Sequence, residues 1–238
     1  MIAAVFFDMY GTLAGFQPSR FEIQSQICTE FGIEVTPEGI LKGYASADAY
    51  MSSVNSSIPL RLRSPGEKEK FFMEYERLVL KGSGVEISPE RALEIWKRIR
   101  RVPYDLAPFP DVVSTLQGLR SRGIKLAMIS NMNRSGPDLA DSLGLNDKLD
   151  FTLTSLDVGV EKPHPDVFLE ALRKAGVTSK ESVHVGDQPV SDVVGAEGVG
   201  IHPVLLDRDD SYNDFNRCPR IRGLAELPKL LDSGYFSG

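Results

Sequence analysis

The sequence predicts an α/β protein: a parallel sheet covered by helices, with a block of helices spliced in after the first strand. Three observations lead there. Short apolar runs of strand length alternate with helical stretches through the later part of the chain. The interval from about Pro18 to Tyr104 carries helix starts and no strand-like run. Four polar segments fall where an apolar strand ends: Asp8-Met9-Tyr10-Gly11-Thr12, Ser130-Asn131, Lys162-Pro163, and Gly186-Asp187 with Asp192. Open parallel sheets bind ligands at those carboxyl ends.

Ile2 to Phe7 is a continuous apolar run, suited to a central strand buried on both faces, and Gly11-Thr12 breaks it. Phe21, Ile23, Ile27 and Phe31 follow helical spacing up to a stop at Gly32. Thr36-Pro37, Ser64-Pro65 and Ser88-Pro89 each pair an N-capping hydroxyl with a proline whose fixed φ suits the first helical position. About four helices are expected in this insert. Val112, Leu116 and Leu119 then mark a helix ending at Gly123, Ile124–Ile129 a strand, Gly136–Leu143 a helix and Phe151–Thr154 a strand. Pro165–Ala175 reads as a helix stopped by Gly176, Ser182–Val185 as a strand and Pro189–Ala196 as a helix. Ile201–Leu206 follows as a strand, Asp207–Pro219 as a polar loop and Leu224–Leu231 as a last helix. Such alternation builds right-handed βαβ units. The core is thus expected from residues 1–14 and 105–238, with a helical cap at 15–104.

The chain has 238 residues, enough for one large domain or a domain with an insert. Lysine and arginine total 27 against 33 aspartates and glutamates, a net charge of -6. That balance speaks against nucleic-acid or anionic-membrane binding, and any phosphate site must carry its own local positive charge. The two cysteines, Cys28 and Cys218, lack a CxxC spacing and are expected as free thiols. No apolar run approaches a membrane span. Met1 to Phe7 has no basic leader and runs straight into Asp8, so it reads as a strand and not as a signal peptide. A cytoplasmic protein is expected. The oligomeric state is not legible.

Each polar segment can be read as chemistry or as ordinary structure. Asp8 follows a buried strand, where a carboxylate is expensive unless paired or metal-bound. It reads as a nucleophile that forms a covalent intermediate, or as a turn cap. Gly11 allows a sharp turn, and Thr12 can hold the nucleophile's loop or donate to it. Ser130 and Asn131 can bind an anion with the backbone N–H groups of the next helix start, or simply cap that helix. Lys162 stands on an irregular segment before Pro163 and can neutralise both a carboxylate and a phosphate, or be a solvent lysine. Asp187 and Asp192, five residues apart, can face one hard cation through oxygen, which suits magnesium. His184, in a predicted strand, reads as packed.

Taken together, these segments resemble the four motifs of the haloacid dehalogenase (HAD) superfamily of hydrolases, with the cap placed after the first motif. The resemblance covers essentially the whole chain. It implies a Rossmann-like, doubly wound parallel sheet, a mobile helical cap and Asp8 as nucleophile. It implies that Ser130, Asn131 and Lys162 bind a phosphoryl group. It implies that Asp187 ligates Mg2+ with Asp8 and the backbone carbonyl of Tyr10, with Asp192 ligating through water or orienting the site.

One position departs from the phosphatase pattern. The usual second aspartate, two residues after the nucleophile, is Tyr10 here, and a phenol with a pKa of about 10 is a poor general base at neutral pH. The Asp-x-Tyr-Gly-Thr form is similar to the L-2-haloacid dehalogenases, in which aspartate displaces halide without a metal. Those enzymes tend to have serine and asparagine where this chain has Gly186-Asp187, and they grip the substrate with an arginine early in the cap. Arg20 is the early arginine here, at a spacing short for that role, and the next is Arg61. Cap-side candidates for substrate contact are Phe16, Arg20, Tyr44, Tyr50 and Arg61. An intact acidic pair calls for a cation, because adjacent carboxylates repel. The favoured reading is a Mg2+-dependent phosphatase for a small phosphate ester. Dehalogenation is the alternative, and a binding protein with a degenerate site is a third.

Overall fold

A computed structural model describes residues 1–236. The chain divides into two compact units, one formed by Met1–Gly15 with the chain from Leu106 onward, the other by Phe16–Asp105. In chain order the elements are β1 (Ala4–Phe7), β2 (Ala14–Gln17), α1 (Arg20–Glu30), α2 (Pro37–Ser57), α3 (Pro65–Lys81) and α4 (Pro89–Ile99). There follow β3 (Asp105–Pro108), α5 (Val112–Ser121), β4 (Lys125–Ser130), α6 (Gly136–Ser142), β5 (Phe151–Thr154), α7 (Ser155–Val158) and α8 (Pro165–Ala175). The chain continues through β6 (Ser182–Gly186), α9 (Gly195–Gly198), β7 (His202–Leu206), β8 (Arg220–Ile221) and α10 (Leu227–Asp232).

Six strands form one parallel sheet in the order β5-β4-β1-β6-β7-β8. Counted within the sheet, this is the 3-2-1-4-5-6 order of a doubly wound fold, in which the crevice for a ligand opens at the carboxyl ends of the strands flanking the reversal. Those two strands are β1 and β6, in register from Ala4↔Ser182 to Phe7↔Val185. Side chains alternate across the pleat, so β1 feeds two cores. Val5 and Phe7 join Val112, Leu116, Leu119 and Leu139 on one face, while Ala4 and Phe6 join Val167, Phe168, Ala171 and Ala175 on the other. Burial on both faces explains the unbroken apolar text of this strand.

The unit Phe16–Asp105 is helical, and its helix starts are those its capping residues dictate. Ser19 and Ser64 form capping boxes with Glu22 and Glu67, and Thr36 and Ser88 cap α2 and α4. Its core gathers Ile23, Ile27, Leu80 and Ile95, with a second cluster of Ile40, Tyr44, Ala47 and Val79. α2 and α3 touch backbone to backbone at Gly43, where a Cβ would stand 1.9 Å from the carbonyl oxygen of Val79.

The sequence reading and the structure differ in several elements. The stretch expected as a plain helix from Pro189 begins as a π-helix, Pro189–Val194, and only then becomes α9. The last helix opens as a 3-10 turn, Leu224–Glu226, before α10. The strands β2 and β3 lack a continuous buried apolar run, and β8 and the one-turn helix α7 are too short to show a periodicity. Cys28 and Cys218 are free, as expected. No helix among the described residues is long and apolar enough to cross a membrane.

Candidate active site

Asp8 leaves β1 at the sheet's reversal point, its N–H donating to the Val185 carbonyl at 2.9 Å. The chain then turns back on itself. The N–H groups of Leu13 and Ala14 both donate to the Met9 carbonyl, at 2.8 and 2.9 Å, and Gly11 takes φ 82°. Only glycine fits there. Besides the positive φ, a Cβ would lie 2.5 Å from Oδ2 of Asp187, which follows β6.

Lys162 reaches this point from the loop before α8. Its Nζ donates to Asp8 Oδ1 at 2.5 Å and to Asp192 Oδ1 at 2.6 Å, and the lysine is 2% exposed. An ammonium has three N–H donors, so one remains for a further acceptor. Burial works against the Lys162 charge, but the two carboxylates outweigh it and hold its pKa above the ordinary lysine range. Burial pushes Asp8 up to about 6, against the pull of Lys162. Asp192 also pays for burial, yet Lys162 and His184 hold it below the usual carboxylate range. Two buried carboxylates thus share one buried ammonium.

Asp192 is held on every side. His184 Nε2 lies 2.9 Å from Oδ1, and the N–H of Gln188 donates to Oδ2 at 3.0 Å. The His184 ring is fully buried, edge-on to Phe168, and burial lowers its pKa. Its Nδ1 has no hydrogen-bond partner, so the proton of the neutral ring belongs on Nε2, facing Asp192. The sequence predicts His184 to be packed. It is packed, and it also orients a carboxylate. The alternation of β6 was the available signal, since it sends His184 to the side opposite Val183 and Val185.

Asp8, Asp187 and Asp192 offer ligand oxygens that all lie within 4.8 Å of one another. Three carboxylates against one ammonium leave an excess of negative charge, and an all-oxygen donor set is the kind hard divalent cations take. The missing Cβ of Gly11 keeps the approach to Asp187 clear. The residues therefore fit a divalent metal of the magnesium type.

The other expected site residues fall into two groups. Asn131 does not cap the next helix. Ser135 caps α6. Asn131 instead braces the lysine loop, its Nδ2 donating to the Lys162 carbonyl at 2.9 Å and its Oδ1 accepting from the Lys162 N–H at 2.7 Å. Ser130 ends β4, beside β1, and is buried. Thr12 acts through its backbone, with its N–H on the Met9 carbonyl, while its buried hydroxyl has no hydrogen-bond partner. Tyr10 is partly buried against the apolar core, and its backbone bridges to Ala14. Arg20 belongs to the helical unit, paired to Asp48 at 2.7 Å and lying over the Tyr44 ring. Tyr44 is a core residue whose hydroxyl donates to Gln24, Tyr50 stacks on Phe71, and Phe16 packs on Tyr104. Arg61 is exposed.

The fold and this cluster define a doubly wound α/β enzyme whose acid-and-lysine centre lies where β1 and β6 end. The model of the haloacid dehalogenase-like hydrolases matches residues 2–200, and the chain belongs to that family of hydrolases. The mouse haloacid dehalogenase-like hydrolase domain-containing protein 3 is 46% identical over 119 residues, 49% of this chain and 47% of that protein. The glyceraldehyde 3-phosphate phosphatase of Methanopyrus kandleri is 38% identical over 137 residues, 53% of this chain and 58% of that one. The chain thus spans about half the length of the curated relatives it matches. Among solved structures, a HAD phosphatase from Thermococcus onnurineus superimposes with a TM-score of 0.56 at 25% identity, covering 97% of this chain and 98% of that one. A 2-haloacid dehalogenase from Pseudomonas syringae gives 0.56 at 26%, covering 98% and 99%.

Proposed function

We propose that this hydrolase is a metal-dependent phosphatase acting on a small phosphate ester, with Asp8 as nucleophile. The observation that carries the reading is the pairing of an acidic trio, Asp8, Asp187 and Asp192, with the buried Lys162 ammonium. Dehalogenation through aspartate needs no such acidic excess, whereas phosphoryl chemistry uses a cation to bring two anions together.

In this reading Asp8, Asp187 and Asp192 would hold Mg2+, with the Tyr10 carbonyl as a further oxygen ligand. When bound, the metal offsets negative charge on the carboxylates and the phosphoryl group. An Asp8 carboxylate oxygen attacks phosphorus, a P–O bond forms, and the ester P–O bond breaks with its electron pair leaving on the alcohol oxygen, which takes its proton from water. The third N–H of Lys162 and the hydroxyl of Ser130 bind the phosphoryl oxygens, and Asn131 fixes the lysine's backbone. Water then cleaves the aspartyl-phosphate, releasing phosphate and restoring Asp8. Tyr10 stands where a carboxylic acid would protonate the leaving group, so the reading expects esters with good leaving groups or slow turnover. The helical residues 15–104 serve as the substrate-selecting cap, and the protein works in the cytoplasm.

The test is phosphate release from a panel of phosphomonoesters, with and without Mg2+. Mg2+-dependent release, abolished in Asp8→Asn, is expected. Tyr10 and the likeness to a dehalogenase favour a second reading, halide release from 2-haloacids. Metal-independent halide release with no phosphate release would replace the first reading with it.

A further inference from the structure

We propose that Arg208 is a positioning residue for the nucleophile loop, gripping the Thr12 carbonyl and stapling that loop to the segment that re-enters the sheet unit. The inference rests on the reading of Asp8 as nucleophile. Arg208 stands two residues beyond β7. Its Nη2 donates to the Thr12 carbonyl at 2.9 Å and to Asp111 Oδ1 at 2.9 Å, and its Nη1 donates to Asp111 Oδ2 at 3.0 Å. The guanidinium lies over the Phe109 ring, 4.2 Å from its centroid.

These partners are themselves tied down. Asp111 Oδ2 also accepts the Leu224 N–H at 2.7 Å. The Phe109 N–H donates to the Leu13 carbonyl at 3.1 Å. The Phe109 ring fills the space beside Gly15, where a Cβ would lie 2.8 Å from the ring edge. Arg208 thus adds a side-chain clasp, from Thr12 to Phe109 and Asp111, to the two limbs that Leu13 and Gly15 already bring against Phe109. The Thr12 side chain adds no hydrogen bond of its own to this clasp, since its buried hydroxyl has no partner. Arg208 reaches the loop at the expense of one donor, since its Nε is buried with no acceptor. The arrangement favours geometry at the loop over full satisfaction of the arginine. Lysine has no planar fork and cannot hold Asp111 bidentately while donating to Thr12.

The experiment compares full-length wild type, Arg208→Met, Arg208→Lys and the surface control Arg173→Met. Two readouts are taken: Mg2+-dependent hydrolysis of p-nitrophenyl phosphate and amide hydrogen exchange over residues 9–15. In Arg208→Met, at temperatures where the fold is intact, kcat should fall at least about tenfold with KM within about threefold. Exchange over residues 9–15 should quicken, Arg208→Lys should recover only part of both effects, and Arg173→Met should change neither. Unchanged exchange in Arg208→Met overturns the inference. So does a kcat within about twofold of wild type while Asp8→Asn is dead. If wild type releases no phosphate, the proposed function fails, and the exchange arm alone still decides whether Arg208 holds the loop.

Discussion

Lys162 concentrates the electrostatics of the site on one nitrogen. It lies 154 residues from Asp8 and 30 from Asp192, and it is the ammonium both carboxylates share. Removing one partner of a buried charge group leaves the other charges uncompensated, which costs about 3–5 kcal/mol. Lys162→Met should therefore lower the urea midpoint as well as remove activity. An unchanged midpoint would mean that the ammonium does not hold the two carboxylates in place. Asn131 and His184 show how such a group is kept on target. One fixes the lysine's backbone from two atoms, and the other pins the far carboxylate with a single N–H. Neither needs to touch substrate to matter.

At the scale of elements, glycines decide where chain segments can meet. Gly186 ends β6 against Asp192, and a Cβ there would lie 2.1 Å from the carboxylate carbon. The π-helix that follows carries Asp192 inward, with the Val193 N–H reaching back to the Gln188 carbonyl at 3.4 Å. Such wide turns recur at functional sites because they re-aim a side chain without ending the helix. In the helical unit, Gly43 lets α2 and α3 approach closely. Gly43→Ala should destabilise this unit by about 1–3 kcal/mol, since backbone cannot yield as a side-chain tip can. Thermal unfolding checks this, and a wild-type midpoint would show that the helices can separate at little cost.

For the molecule as a whole, stability should depend on pH through a buried carboxyl of the helical unit. Glu76, inside the helical unit, accepts from Gln24 at 2.6 Å, and burial pushes its pKa up to about 7 from 4.5. The folded state therefore binds this proton more tightly than the unfolded chain. Its contribution is greatest below the unfolded value, declines as pH rises from about 4.5 to about 7, and changes no further above that. The loss is at most on the order of 3 kcal/mol. Glu76→Gln keeps an acceptor for Gln24 and should remove most of the slope between about pH 6 and 7, since Asp8, raised to about 6, accounts for a slope only below that. Denaturation midpoints taken across this interval would decide, and a slope there left unchanged by the substitution would assign the dependence to other groups.

Much of this architecture was legible in the sequence because its signals are local. Hydroxyl-proline pairs set the starts of α2, α3 and α4, Gly176 with φ 65° ends α8, and an apolar run marks the buried β1. Asp8, Ser130 and Asp187 could be named for the same reason, since a polar residue ending a buried strand stands out within a short window, whereas Lys162, expected at a strand end, stands on the loop between α7 and α8. The four-residue strands β2 and β3, which lack a continuous buried apolar run, and the two-residue β8 left no such trace. What the sequence by itself determined was the order of the elements and the chemistry available at their ends. Tertiary structure alone decided which of those groups meet. It drew Asp8, Lys162 and Asp192 into one buried cluster and turned Asn131 toward the lysine's backbone. It also aimed His184 at Asp192 and left Thr12's carbonyl to Arg208. Strand pairing and charge compensation act between residues distant along the chain, and they take effect only once the sheet has brought those residues together.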